Sequence, residues 1–302
     1  MHASNRAYDH RQVALTTKHC KEKAIALPFR AALGLETRCA SNVDTDLLGT
    51  FTGEIRRKGT AIETSVTKAR LGMRELNLPL GLSSEGSFGP HPFLTLIPGT
   101  QEFMTFIDDE RGFQITEQIV STETNYNGQS ASKASELQDF FVKVKFPSHG
   151  LIVRPNMHRS SIFAKATQII LSRQTNMVIF KGLQNFNELE RAIEKCKLES
   201  SDGMAYVETD MRAHMNPTRL RVIRKLAIKL GRRLQKSCPE CNCPGWGLTD
   251  SVPGLPCVVC SHPSDTAKLE ISSCAKCKFK EQRERADGIE YVDPGECHRC
   301  NP

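Results

Sequence analysis

The residues best equipped for chemistry in this chain are cysteines. Of twelve, nine lie between Cys238 and Cys300, and eight of those form four C-x-x-C pairs: Cys238/Cys241, Cys257/Cys260, Cys274/Cys277 and Cys297/Cys300. A C-x-x-C turn aims two sulfurs at one point, and two such turns complete a tetrahedral four-thiolate site. Fifteen residues separate the first two pairs and nineteen the last two, and both gaps fit zinc templates. Structural Zn²⁺, two ions, is the expected cofactor. Two tandem ribbons are the simplest pairing; an interleaved cross-brace, joining the first pair to the third, is also open. Cys243 is left over, as a spare thiol or an alternative ligand. Disulfides would call for an export signal, and a redox C-x-x-C would open a helix instead of sitting in Gly/Pro loops. The segment has few large apolar residues, among them Trp246, Leu255 and Phe279, so it is expected to fold only with metal.

Two charged clusters come next. Lys18, His19, Lys21 and Lys23 make a basic turn beside a helix start, a place that grips phosphate. Asp44, Asp46, Glu54 and Glu85 are acidic, and carboxylates of this kind hold Mg²⁺ while water and substrate phosphate complete its shell. Combined, they suit metal-assisted attack of water on a phosphoanhydride. In that scheme Lys18 and Lys21 bind phosphate, Asp46, Glu54 and Glu85 bind Mg²⁺, and Glu85 is also the candidate base. The competing reading makes them loop-surface charges. His91, between two prolines, reads as a turn histidine satisfied by backbone. No Walker loop, G-x-S-x-G elbow, H-E-x-x-H or G-x-G-x-x-G is present.

These clusters need elements to position them. Arg11–Thr17 reads as a strand running into the Lys18–Lys23 turn and a helix through Ala32, with Gly34 as its stop. Leu35–Ala40 reads as a second strand. Thr60 and Glu63 form a capping box for a helix to Leu76, whose apolar face is Ile62, Val66, Ala69, Met73 and Leu76. Leu78–Leu82 is a short strand that delivers the chain into a loop holding Glu85. Strand–helix–strand implies a crossover and an α/β fold, a mixed sheet with flanking helices. Glu102–Asp108 and Gly112–Val120 read as paired strands, and Phe140–Phe146, Gly150–Arg154 and Asn176–Phe180 as further ones. A helix follows from Asn187, and Met204–Glu208 closes the sheet. Asn216-Pro217 opens the last helix. Its apolar side is Leu220, Ile223, Ala227, Leu230 and Leu234. Arg221, Arg224, Lys225, Lys229, Arg232, Arg233 and Lys236 crowd the other side: a solvated charged face or, in the alternative reading, a nucleic-acid- or protein-binding surface over 217–236. The expected division is an α/β domain over 1–236 and a double zinc-ribbon domain over 237–302.

Bulk properties bound these readings. Hydrophobic residues make up 39% and charged residues 25%, so the chain is globular. The net charge of +7 is compatible with a phosphate-bearing partner. Met1–Gln12 has no apolar signal core, and no apolar run approaches the ~20 residues of a membrane helix, so no membrane partner and a cytoplasmic setting are expected.

The combined pattern resembles a bacterial family, a domain of unknown function, through Ala14–Lys23, Asp44–Arg57, Ser84–Pro92, Glu208–Arg219 and the cysteine-rich tail. More distantly it is similar to nucleotide pyrophosphatases of the inosine triphosphatase and Maf type. Thr16 and Lys21 match their T-x-N-x-x-K strand end, with Lys18 in place of Asn. Gly49-Thr50-Phe51, Lys68-Ala69 and Ser84-Glu85-Gly86 are similar to their later segments. That resemblance implies a pyrophosphatase-like fold, Lys21 on phosphate, and Glu85 holding the metal or activating water.

Overall fold

The computed structural model describes residues 7–49, 55, 57–156 and 178–302. Strand β1 (Gln12–Thr16) is central to the first sheet, and everything after Gln12 in it is buried. Val13 and Leu15 point into one core and Ala14 into another, so this strand is covered on both faces. Glu36–Cys39 (β2) and Leu80–Pro90 (β3) flank it in parallel, and Pro98–Asp108 (β4) and Phe113–Ser121 (β5) continue antiparallel, giving the order β2-β1-β3-β4-β5. Glu22–Leu33 (α1) and Pro217–Leu234 (α5) pack on the Val13/Leu15 face, and Ala61–Leu76 (α2) packs on the Ala14 face. This is the expected α/β arrangement with a mixed sheet.

Local signals account for the helix ends. Gly34 ends α1 with φ +73°, and its N–H donates to the Arg30 carbonyl. A Cβ there would lie 2.1 Å from Asp9 Oδ1. Thr60 Oγ1 accepts from the Glu63 N–H at 3.1 Å and Glu63 Oε2 accepts from the Thr60 N–H at 2.8 Å, so the capping box is present. Asn216 Oδ1 accepts from the Arg219 N–H at 2.9 Å and Pro217 opens α5.

Some expectations need correction. Ala69 and Met73 of α2 are buried with Val66 and Leu76 packed beside them, as expected, but Ile62 is 45% exposed and Thr64, Ser65, Lys68 and Gly72 are buried as well. The buried face widens to polar residues because they have partners: Ser65 Oγ lies 2.9 Å from both Ser83 Oγ and Thr105 Oγ1 of the sheet. Strand β3 also runs on to Pro90, so Glu85 stands on a strand opposite Phe103 of β4, not in a loop.

Residues 205–209 do not close that sheet. Gly128–Ala131 (β6), Leu151–Pro155 (β7), Phe180–Leu183 (β8) and Ala205–Thr209 (β9) form a second, antiparallel sheet in the order β6-β9-β7-β8. Gln138–Val144 (α3) and Phe186–Leu198 (α4) supply its core with Phe140, Phe141, Val144, Leu189 and Ile193. The run read as a strand over Phe140–Phe146 is thus mainly helix. Phe140, Phe141 and Val144 fall on one helical face while Val142 is 81% exposed. Asn185 caps α4, two residues before the expected start, accepting from the Asn187 and Glu188 N–H groups. Asn176 lies outside the described residues.

The cysteine-rich segment forms a third sheet of Gly247–Pro253 (β10), Ala267–Ser273 (β11) and Lys280–Glu284 (β12), antiparallel in that order. Its first knuckle belongs to the main core: Cys238, Cys243 and Cys274 are buried among residues of α5 and β5, and Trp246 stacks on Phe279 at 5.6 Å. The division expected at 236/237 is therefore bridged by continuous packing. Among the described residues, no helix is long and apolar enough to cross a membrane.

Candidate functional site

The eight paired cysteines gather into two tetrads, Cys238/Cys241/Cys274/Cys277 and Cys257/Cys260/Cys297/Cys300, with the sulfurs of each within 4.8 Å of one another. A tetrahedron with sulfurs about 2.3 Å from its centre has edges of about 3.8 Å. The closest cross-pair sulfurs lie 3.7, 3.7, 3.8 and 3.6 Å apart. Spacing and donor set both fit zinc, and all four corners are protein thiolates, which is the make-up of a structural site.

The pairing is the interleaved one, first with third and second with fourth, and this corrects the tandem arrangement. The cause is strand direction. The first pair precedes β10, the second follows it, the third lies between β11 and β12, and the fourth follows β12. Successive antiparallel strands carry successive pairs to alternate ends of the sheet. A strand of seven residues, as β10 is, sets neighbouring pairs about 23 Å apart, far beyond the reach of one ion. The knuckles share one backbone geometry. The carbonyls of Cys238, Cys257, Cys274 and Cys297 accept from the N–H four residues on, at 2.9, 2.9, 3.2 and 2.8 Å. Asn242, Ser261 and Lys278, each just after a second cysteine, have φ between +56° and +66°. Cys243 belongs to neither tetrad; its carbonyl accepts from the Cys238 N–H at 2.9 Å.

A second site opens where β1 ends. Strand β1 stops at Thr16, paired with Ser83, while β3 continues, so Glu85 emerges just past the end of its parallel neighbour. Ligand crevices in α/β sheets form at such strand ends. The cleft has a volume of about 350 Å³. It is lined on one side by Lys18, His19, Lys21, Asp46, Arg57, Lys68 and Glu85, and on the other by Lys181, Glu208 and Arg212 of the second sheet and its flank. Among the described residues, six lysines and arginines thus face three carboxylates.

Each charge has a place. Lys18 Nζ donates to Asp44 Oδ1 at 2.8 Å and Asp46 Oδ2 at 2.6 Å, bonds that raise its pKa. The Lys21 ammonium is buried and donates to the Ser84 carbonyl at 2.7 Å. Burial, followed by repulsion from Arg219 and Lys68, lowers its pKa to about 7 despite Glu85 and Glu102. Glu85 is buried against Lys68, with Arg57 Nη2 at 3.8 Å. Burial alone would raise its carboxyl, but Lys68, Lys21 and Arg57 together hold it below the usual range. His19 departs from the basic-turn expectation. Burial lowers its pKa to about 4, so it is a neutral ring near pH 7, stacked on His214 at 5.2 Å. His91 is held by backbone as expected, its Nδ1 accepting from the Phe93 and Leu94 N–H groups at 3.3 and 3.1 Å.

The acidic cluster does not assemble as a metal cage. Among the described residues, the two cysteine tetrads are the only groups of three or more potential ligands; Asp46 and Glu85 each face lysine, and Glu54 lies outside the described residues. The basic face of α5, a nucleic-acid surface only in the alternative reading, is largely paired. Arg221 and Lys225 pair with Glu123, and Lys229 and Arg233 pair with Glu117, so these cations pin α5 to β5 and its following loop.

What the cleft can do is hold an anion. A bound anion favours charged Lys21, so binding above its pKa must be accompanied by proton uptake. The affinity for sulfate, a dianion throughout the neutral range, is expected to fall by up to about tenfold per pH unit above pH 7. Lys21→Met should flatten that slope in a calorimetric titration; an unchanged slope would exclude Lys21 as its source.

Sequence reasoning left Arg57, Lys181, Arg212 and the ring residues Phe88 and Tyr126 without a role, although all line the cleft. Glu208–Arg219 had been singled out as a segment, and the position of Glu208, Met211 and Arg212 on the cleft wall gives it a place. No curated protein and no solved structure matches the chain. The family profile that does match covers residues 68–302, so the Lys18–Lys21 turn precedes the matched region. By that match the chain belongs to the family described as Domain of unknown function (DUF6671).

Proposed function

We propose that the cleft binds a nucleotide or related phosphoanhydride and hydrolyses it, with the cysteine-rich segment as a structural zinc module. The observation that carries this is the excess of cations at the open end of β1, beside a buried carboxylate. Lys18, Lys21 and Arg57 take the phosphate oxygens. Lys68 keeps Glu85 ionised, so Glu85 can orient the attacking water and accept its proton. Mg²⁺ needs only one or two carboxylates besides substrate phosphate, and Asp46 and Glu85 are the ones at hand. When bound it would supply charge neutralisation at the phosphates. The similarity of Thr16, Lys21, Lys68-Ala69 and Ser84-Glu85-Gly86 to inosine triphosphatase and Maf enzymes supports the same assignment. Nucleic-acid binding through α5 has less to stand on, because Glu117 and Glu123 neutralise much of that face.

The test is a hydrolysis screen. Zinc-loaded protein with Mg²⁺ or Mn²⁺ is offered a panel of ordinary and modified nucleoside triphosphates, with phosphate and pyrophosphate release as the readout. Activity is expected, with a loss of about 100-fold or more in Glu85→Gln. Silence across the panel from folded, zinc-replete protein would refute the hydrolase, and full activity in the variant would refute the role of Glu85.

A further inference from the structure

Charge is only half of the cleft's chemistry. Phe88 and Tyr126 line it too, although one comes from β3 and the other from the loop between β5 and β6. Their rings stack with centres 6.1 Å apart and planes at 30°. The stack has a rigid base. The Arg219 guanidinium lies 4.9 Å from the Phe88 ring centre and is itself fixed, with Nε donating to Glu102 Oε1 at 2.6 Å and Nη1 to the Met211 carbonyl at 2.5 Å. The loop carrying Tyr126 is also tied down. Its neighbour Asn125 is buried, donating to the Val144 carbonyl and accepting from Asn216, both at 2.8 Å. Tyr126 nevertheless remains 38% exposed. A preorganised aromatic ring at the wall of a polar cleft is the kind of surface on which a planar heterocycle stacks.

Distance along the strand matters as well. Phe88 is three residues beyond Glu85 on β3, about 10 Å at strand rise and on the strand's other face, and both line the cleft because β3 is uncovered at its edge past the end of β1. That is the scale of a ribose and the first phosphates, which separate a nucleobase from the end of its phosphate chain.

We infer that the ligand is a nucleoside polyphosphate whose base stacks on the Phe88–Tyr126 wall while its phosphates lie among Lys18, Lys21 and Arg57. This rests on the phosphate-cleft reading above and adds the recognition element for the base. Inorganic polyphosphates and sugar phosphates would leave the wall bare.

The experiment compares binding of adenosine triphosphate, guanosine triphosphate and inorganic tripolyphosphate to the full zinc-loaded chain by calorimetry, without hydrolysis as a readout. Both nucleotides are expected to bind about tenfold more tightly than tripolyphosphate, the worth of one stacking contact. Tyr126→Ala should abolish that preference while leaving tripolyphosphate affinity unchanged, and Tyr126→Phe should retain it. Equal affinities in the native chain, or a preference that survives Tyr126→Ala, would overturn the stacking assignment alone. Failure of all three to bind would overturn the phosphate cleft and the base site together.

Discussion

Replacing Cys274 with serine is expected to unfold much of the molecule, whereas replacing Cys297 is expected to cost one metal ion and little else. The two tetrads are chemically alike but differ in what surrounds them. Cys238 and Cys274 lie in the main core with Ile115, Ile223 and Leu234. The second tetrad sits in a small cluster with Leu255 and Val292. Binding of a structural zinc ion is worth about 10 to 16 kcal/mol in small zinc-folded peptides, as much as the whole stability of a typical domain. Losing it at the first tetrad loosens the wall against which α5 and β5 pack, and with it the seat of Arg219 beneath Phe88. Losing it at the second leaves α5 untouched. Metal content by atomic spectroscopy and thermal unfolding should separate the cases: about one ion per chain and a preserved main transition for Cys297→Ser, a collapsed or absent transition for Cys274→Ser. A Cys274→Ser protein that melts like the native chain would show that the first knuckle is not part of the core.

The second large effect is expected at Arg219. It is 2% exposed and its partner Glu102 fully buried, yet in the sequence Arg219 stands out only as the end of the Glu208–Arg219 segment. Gly86 leaves room for the pair: a Cβ there would lie 2.5 Å from Arg219 Nη2 and 2.7 Å from Glu102 Oε1. Removing one member strands the other's charge away from water, which costs about 3 to 5 kcal/mol, so Arg219→Ala should shift urea unfolding by that amount. Replacing both residues with apolar ones, Arg219→Met with Glu102→Leu, should recover most of the loss, because desolvation of the pair offsets much of its attraction. Stability would then return without the support under Phe88, so nucleotide affinity should stay low. Arg219→Ala with an unchanged midpoint would show that water reaches Glu102.

Much of the frame was legible because its signals are local. The C-x-x-C turns, the Thr60–Glu63 box, the Asn216-Pro217 start and the Gly34 stop each depend on a few adjacent residues. The cleft was legible in its pieces, Lys18, Lys21, Asp46 and Glu85, but not in its second wall. Lys181, Glu208 and Arg212 reach it only through the packing of a separate sheet, which no local pattern encodes. Helix α2 misled for a related reason. A search for apolar periodicity discounts Thr64, Ser65 and Lys68, yet these are buried because the Thr60 carbonyl satisfies the first, Ser83 and Thr105 the second and Glu85 the third. Strand β3 was cut short for want of β-formers in Ser-Ser-Glu-Gly-Ser; there, pairing with β4 overrides propensity. The tetrad pairing followed from strand direction, which the spacings alone leave undetermined.

That alternation of knuckles makes the cysteine-rich segment indivisible. Were the ribbons tandem, a protease cutting between Cys260 and Cys274 would release two self-sufficient modules. Here each fragment would carry half of both tetrads, and each metal ion would bridge the break. A nicked chain would stay joined by thiolate bonds through two ions until a chelator removed them, so the segment behaves as a clasp and not as beads on a string.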